Sequence, residues 1–193
     1  MEQLTINKMQ ISAVKCYTSN VTRFSRGFTL METLVAISIL LVAVVGPISL
    51  IGDALHKLYY AKDEMIAINL AQEGIEAVRQ IRDSNKLAGA PWLTGMANGD
   101  YTVDMGKLSS AQPVITYRGT PTTVGPQPIY FDASSGLYRQ ETGATLTQFS
   151  RIVTIQPLAL PADQRRVSST VTWRTGGQTG TITVTVDIFN WQI

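Results

Sequence analysis

The chain has 193 residues, of which 45% are hydrophobic and 16% charged, and its formal net charge is +2. That length holds one or two domains, and only one beside a membrane anchor, while so small a charge does not argue for a nucleic-acid partner. With one cysteine and one histidine, an internal disulfide framework, a Cys-based zinc site and a multi-His metal site are excluded.

The composition divides the chain into three parts: a short basic leader, a long helix that begins apolar, and a β region. Residues 1–27 carry Glu2, Lys8, Lys15, Arg23 and Arg26 and contain no long apolar run, which reads as an irregular basic terminus. From Phe28 to Ile51 there are 24 residues with one charge, Glu32. At 1.5 Å per residue they cover roughly 36 Å, enough to cross a hydrocarbon core of about 30 Å. Arg23 and Arg26 precede the run, so the positive-inside rule places the leader in the cytoplasm and the C-terminal part outside the inner membrane. Two rivals are weaker. A buried core helix rarely runs this long without charges. A secretory signal cut after Ala54 has a shorter apolar stretch and no carboxylate near its start.

Glu32 is the informative residue. A charge at the centre of a membrane helix costs about 2.5–3.5 kcal/mol, and less near an end. Its place in the first turn is favoured by the helix dipole. Further on, Gly46-Pro47 interrupts the apolar run, and a proline removes one helical hydrogen bond and crowds the preceding turn, so a helix kink is expected at Gly46 and Pro47.

Residues 53–84 contain no proline. Leu55, Leu58, Met65, Ile68, Ala71, Ile75, Val78 and Ile81 recur near helical spacing, which predicts one amphipathic helix packed on a sheet by that stripe. After Asn85 lie 11 of the 15 glycines and seven of the eight prolines. Residues 86–128 read as a long surface excursion, with a tight turn at Asn98-Gly99. Strands are expected on either side of a turn at Asp132–Gly136 and over Arg151–Ile155. Two more carry Val167, Ser169, Val171 and Trp173 on one face, and Ile182, Val184, Val186 and Ile188 on one face with Thr181, Thr183 and Thr185 opposite. Gly176-Gly177 joins these last two as a hairpin. The total is an antiparallel sheet of about four strands.

Little else in the sequence suggests chemistry. There is no GxxxxGK[ST] phosphate loop. His56 has no paired nucleophile and reads as an ordinary helix residue. Asp132-Ala133-Ser134-Ser135-Gly136 reads as a plain turn with too few carboxylates for calcium. Arg165-Arg166 reads as a solvated strand start. No basic patch with interleaved aromatics supports nucleic-acid binding. No enzyme activity, cofactor or metal is therefore expected.

One segment does carry a specific resemblance. Arg26-Gly27-Phe28-Thr29-Leu30-Met31-Glu32-Thr33-Leu34-Val35-Ala36 resembles the processing site of type IV prepilins and type II secretion pseudopilins, with its basic leader, Gly before the cut, Phe after it and Glu as the fifth mature residue. Residues 71–85 also look like the second half of the N-terminal helix in many such proteins, and the strand endings at 171–173 and 189–191 resemble their last strands more weakly. The resemblance implies that residues 1–27 are a leader removed by a prepilin peptidase between Gly27 and Phe28, and that Phe28 is then N-methylated. It implies that Glu32 pairs with the Phe28 amine of an adjacent subunit during filament assembly. Its further implied parts are a transmembrane and assembly helix at 28–52, an amphipathic helix of the head at 53–85, and a loop region with an antiparallel sheet at 86–193. The fold would be α+β and pilin-like, with a helix of about 85 Å. The implied partners are the peptidase, other pilin or pseudopilin subunits, an inner-membrane assembly platform, and membrane lipid before assembly. Family members often carry a proline in the same part of the helix, here displaced slightly towards the N-terminus. Cys16 falls in the leader, so the mature chain has no disulfide of the kind that closes some pilin heads. The second reading is a single-pass anchored extracytoplasmic binding module that does not assemble. For that module Glu32 is only an interfacial carboxylate.

Overall fold

The structure, a computed structural model, describes residues 27–109, 112–140, 145–158 and 163–191. Cys16 and the basic leader residues lie outside them. One helix, α1 (Leu30–Leu87), precedes seven strands: β1 (Gly99–Ser109), β2 (Gln112–Gly119), β3 (Gln127–Asp132), β4 (Leu137–Arg139), β5 (Thr145–Pro157), β6 (Gln164–Thr175) and β7 (Gln178–Phe189). The fold is α+β, a long N-terminal helix packed on an antiparallel sheet. The chain divides into two compact units inside α1, between Pro47 and Ile48.

In the second unit β5 is the hub of the sheet. One edge of it pairs with β6 from Phe149↔Trp173 to Pro157↔Arg165, and β6 pairs with β7. The other edge is shared. Its first half pairs with β3, which pairs with β4, and its last residues pair with β1, which pairs with β2. The β6–β7 connection is the two-residue turn Gly176-Gly177 between Thr175 and Gln178, with φ of 57° and 100°. Such a turn needs positive φ at both central positions, which glycine adopts without a Cβ clash.

The helix packs on the sheet through two clusters. Ala67, Leu70 and Ala71 meet Ile129, Phe149, Val171 and Trp173. Ile75, Val78 and Ile81 meet Tyr101, Val103, Val153, Ile155, Val167 and Ile188. Between them Gly74 permits the closest approach, since a Cβ there would sit 2.6 Å from Ser169 Oγ and 2.9 Å from Val153 Cγ2. The helix ends where Gly89 (φ 70°) donates to the Lys86 carbonyl, a glycine-type stop. Asn85 Nδ2 then donates to the Trp92 and Thr94 carbonyls and folds the next loop back.

Three expectations change. Among the described residues the sheet has seven strands, not about four. Residues 86–128, expected as a surface excursion, contain all of β1 and β2, and Gly99 opens β1 instead of making a hairpin turn with Asn98. The single packing stripe divides: Ala71, Ile75, Val78 and Ile81 are buried, but Leu55, Leu58 and Met65 are exposed. In that part of the helix Tyr60, Asp63 and Ala67 turn inward instead, with Asp63 Oδ2 accepting from Thr175 Oγ1 at 2.6 Å.

Candidate functional site

The first turn of α1 is built by Thr29. Its carbonyl accepts from the Thr33 N–H at 3.1 Å, and its hydroxyl Oγ1 accepts from the Glu32 N–H at 3.2 Å. Thr29 is thus the N-cap, and Thr29-Leu30-Met31-Glu32 has capping-box spacing. That spacing is visible in the sequence, and it gives Thr29 a role that the site reading left out. The cap satisfies a backbone donor that a water-poor environment would leave exposed. Other hydroxyls are also satisfied locally. Thr33 Oγ1 donates to the Leu30 carbonyl, and Ser38 Oγ lies 2.9 Å from both the Leu34 and Val35 carbonyls.

The Glu32 carboxylate differs. It is exposed, and among the described residues no cation pairs with it. Around it Phe28, Leu30, Met31, Leu34 and Val35 are all exposed, Phe28 by 77%. None of the most apolar window of α1 is buried, which removes the buried core helix. Exposing a Leu or Phe to water forgoes about 1.5–3 kcal/mol each, so a run of this length calls for lipid or protein around it. Among the described residues α1 is the one helix long and apolar enough to cross a membrane.

Gly27 is irregular and exposed, its φ is not in the left-handed region, and nothing lies within 4 Å of where a Cβ would stand. The fold of this chain therefore does not require glycine there. Gly46 has equally open surroundings, although glycine inside a helix costs about 1 kcal/mol relative to alanine. The helix is continuous across Pro47, and the boundary between the two units falls directly after it.

Elsewhere the polar clusters close on themselves. Asp132 Oδ1 accepts from the Ser134 N–H and hydroxyl at 2.9 and 2.6 Å, and Oδ2 accepts from the Ser135 hydroxyl at 2.9 Å. These bonds, the Ser134 hydroxyl foremost, hold the Asp132 carboxyl down at about 2. The loop is a hydrogen-bonded turn. Among the described residues no group of three or more His, Cys, Asp or Glu could hold a metal ion. His56 is an exposed helix residue beside the Gly176 turn. Arg166 makes a bidentate surface pair with Asp187 at 2.8 and 2.9 Å.

A helix that is membrane-capable at its start and seated on an antiparallel sheet towards its end defines a pilin-like α+β protein. Residues 22–46 match the prokaryotic N-terminal methylation motif, the hallmark of type IV prepilins and pseudopilins. The matched segment contains Gly27, Phe28, Glu32 and Gly46. Neither the curated proteins nor the solved structures include a match to the chain. The motif and the apolar helix support a type IV pilin-like protein with a membrane-anchoring helix, processed by a prepilin peptidase and associated with other pilin subunits. They suggest a structural subunit rather than an enzyme.

Proposed function

We propose that this chain is a structural subunit of a type IV pilus-like filament or a type II secretion pseudopilus. It enters the inner membrane with its leader in the cytoplasm and its sheet domain outside. Prepilin peptidase then hydrolyses the Gly27–Phe28 bond, leaving a carboxylate on Gly27 and an ammonium on Phe28. Methylation of that nitrogen keeps its positive charge and removes one donor hydrogen. The observation that carries this reading is Glu32: an exposed carboxylate in an unburied apolar helix, with no cation beside it among the described residues. The cut creates a cation one helical turn away in sequence. In a bundle of such helices, the amine of one subunit and Glu32 of its neighbour neutralise each other in one axial register.

Two glycines fit the same account. Gly27 is not needed by the fold, so its absent side chain suits a protease subsite. Gly46 and Pro47 weaken the helix near the end of its apolar run, about a third of the way along α1, where a kink or local melting would adapt the subunit to an assembly platform and then to the filament. Lipid solvates Phe28–Ile51 before assembly, and neighbouring helices replace it afterwards. The removed leader takes four basic residues and one acidic, leaving 12 basic and 13 acidic residues of the original 16 and 14. A nearly neutral subunit stacks without long-range repulsion.

The test is the N-terminus of the protein in cells, measured by mass spectrometry with and without a prepilin peptidase. A peptidase-dependent methylated Phe28 is expected. An intact Met1 in cells that contain the peptidase would sink the processing step. The chain would then read as an anchored binding module that does not assemble.

A further inference from the structure

The outward face of α1 from the end of the apolar run onward is unusual. Ile48, Ile51, Leu55, Leu58 and Met65 are 48–68% exposed, and Lys62, also exposed, completes the series. The steps between these six residues alternate three and four. That spacing puts the six residues on one helix face, at successive a and d positions of a heptad. In the same segment the sheet is served by other residues, Tyr60, Asp63, Ala67 and Leu70. The exposed seam then stops. Continued at the same steps it meets Asn69, Gln72, Glu76 and Arg79, all polar. One helix face thus turns from apolar to polar at a defined point, as it would where a covering partner ends.

We propose that this seam pairs with the same seam of a second copy of the chain, as a short parallel coiled coil that starts at the end of the apolar run and continues outside the bilayer. The inference rests on the membrane-anchored reading above. Ile51 ends the apolar run, and Leu58 and Met65 lie roughly 10 and 21 Å further along the helix. The headgroup zone accounts for only about 5–8 Å on each side, so lipid does not cover them. Copies inserted with one orientation meet in parallel, which sets a against a and d against d. Ala54 and Ala61 flank the seam and let the helices approach closely. Lys62 is the one polar a position, a device that fixes register and strand number. The seam comprises six residues, far short of the roughly 20–30 residues and about 800 Å² per partner of a stable free interface. Pairing therefore depends on the local concentration that a shared membrane provides. It needs no Phe28 amine and so does not require the cut.

The experiment uses the full chain in membranes, with Cys16→Ser and an uncut Gly27→Val background. Single cysteines replace Leu55, Leu58 or Met65 on the seam, or Lys57 or Glu64 beside it, and a mild oxidant is added. All five positions are exposed, so the substitutions leave the core untouched. Disulfide dimers are expected at the three seam positions at more than five times the yield at the two flanking ones. Equal yields at all five, or no dimer at 55, 58 and 65, overturn the proposal, as does cross-linking seen only when Gly27 is restored and the chain is cut. The processing reading fails separately: an intact Met1 in the unsubstituted chain leaves the cross-linking pattern as it is.

Discussion

Arg151 is 1% exposed and bonds to three other parts of the fold. Its guanidinium donates to the Leu70 carbonyl at 2.8 Å and Glu73 Oε1 at 3.1 Å on α1, to the Val103 carbonyl at 2.7 Å on β1, and to Gln140 Oε1 at 3.1 Å. Burial disfavours its charge, and Glu73 and Asp104 oppose that. Removing one partner of a buried, hydrogen-bonded charge cluster costs about 3–5 kcal/mol. Arg151→Met should therefore lower the unfolding free energy by that order, read from tryptophan emission in denaturant. Glu73→Gln should cost less, about 1 kcal/mol, because two backbone carbonyls and Gln140 still hold the guanidinium. A neutral Arg151→Met would mean that shape, not the bonds, fixes this junction. Asp132 makes a pH prediction. Its folded carboxyl lies at about 2, below the ordinary 3.8, so its contribution to stability is complete above about 3.8 and is lost as pH falls through 2. The side-chain carboxyl should titrate near 2 by NMR, and Asp132→Asn should remove the turn's sensitivity in that window. A midpoint near 3.8 would show that the Ser134 and Ser135 bonds do not form in solution.

At the level of elements, Gly74 is where helix and sheet come closest. Alanine there gains about 1 kcal/mol of helix propensity. Its Cβ, however, meets Ser169 Oγ at 2.6 Å and the stiff Val153 side chain at 2.9 Å, and overpacking costs about 1–3 kcal/mol. Gly74→Ala should destabilise by about 1 kcal/mol in chemical unfolding, and Ser169→Gly should restore part of the loss. Unchanged stability in Gly74→Ala would mean that the helix sits further from the sheet. The sequence shows this contact only as a break in an apolar stripe. By contrast the β6–β7 hairpin was legible, because period-two alternation and Gly-Gly mark a two-residue turn. β1 was not, because polarity in it does not follow exposure: Asp100, Tyr101, Thr102, Val103 and Asp104 are all buried in succession. Asp100 tolerates this by accepting from the Thr122, Thr123 and Val124 N–H groups at 2.9–3.0 Å and from the Thr154 hydroxyl at 2.6 Å. Those partners lie 22 or more residues away, so no local pattern announces them. The lower half of α1 misled for the inverse reason, with a carboxylate, Asp63, on the inner face and leucines on the outer one. The methylation motif over residues 22–46 was legible, because its information is chemical identity at fixed spacing and does not depend on tertiary contacts.

For the whole molecule, two environments ask opposite things of Glu32. In the membrane as a single subunit, Glu32→Ala removes a charge whose insertion cost is below the 2.5–3.5 kcal/mol of a mid-membrane position, so the anchored amount should stay level or rise. In the proposed filament the same change strips the counter-charge from a neighbour's Phe28 amine, a loss of about 3–5 kcal/mol for an uncompensated buried charge. Since 1.4 kcal/mol is tenfold, subunit addition should fall by roughly a hundredfold or more. The ratio of sheared filament to membrane-bound subunit, read by immunoblot, should collapse while total protein does not. Glu32→Gln should fail nearly as badly, since it keeps size and hydrogen bonding but not charge. Gly27→Val should give the same defect from the other side, because an uncut chain has no amine at Phe28. Two groups that act only as a pair are not additive, so Gly27→Val with Glu32→Ala should assemble no worse than Gly27→Val alone. Normal filament yield from Glu32→Ala would reduce Glu32 to a carboxylate that reaches interfacial water. An additive double variant would separate the cut from the charge and leave the register of the helices to the apolar seam.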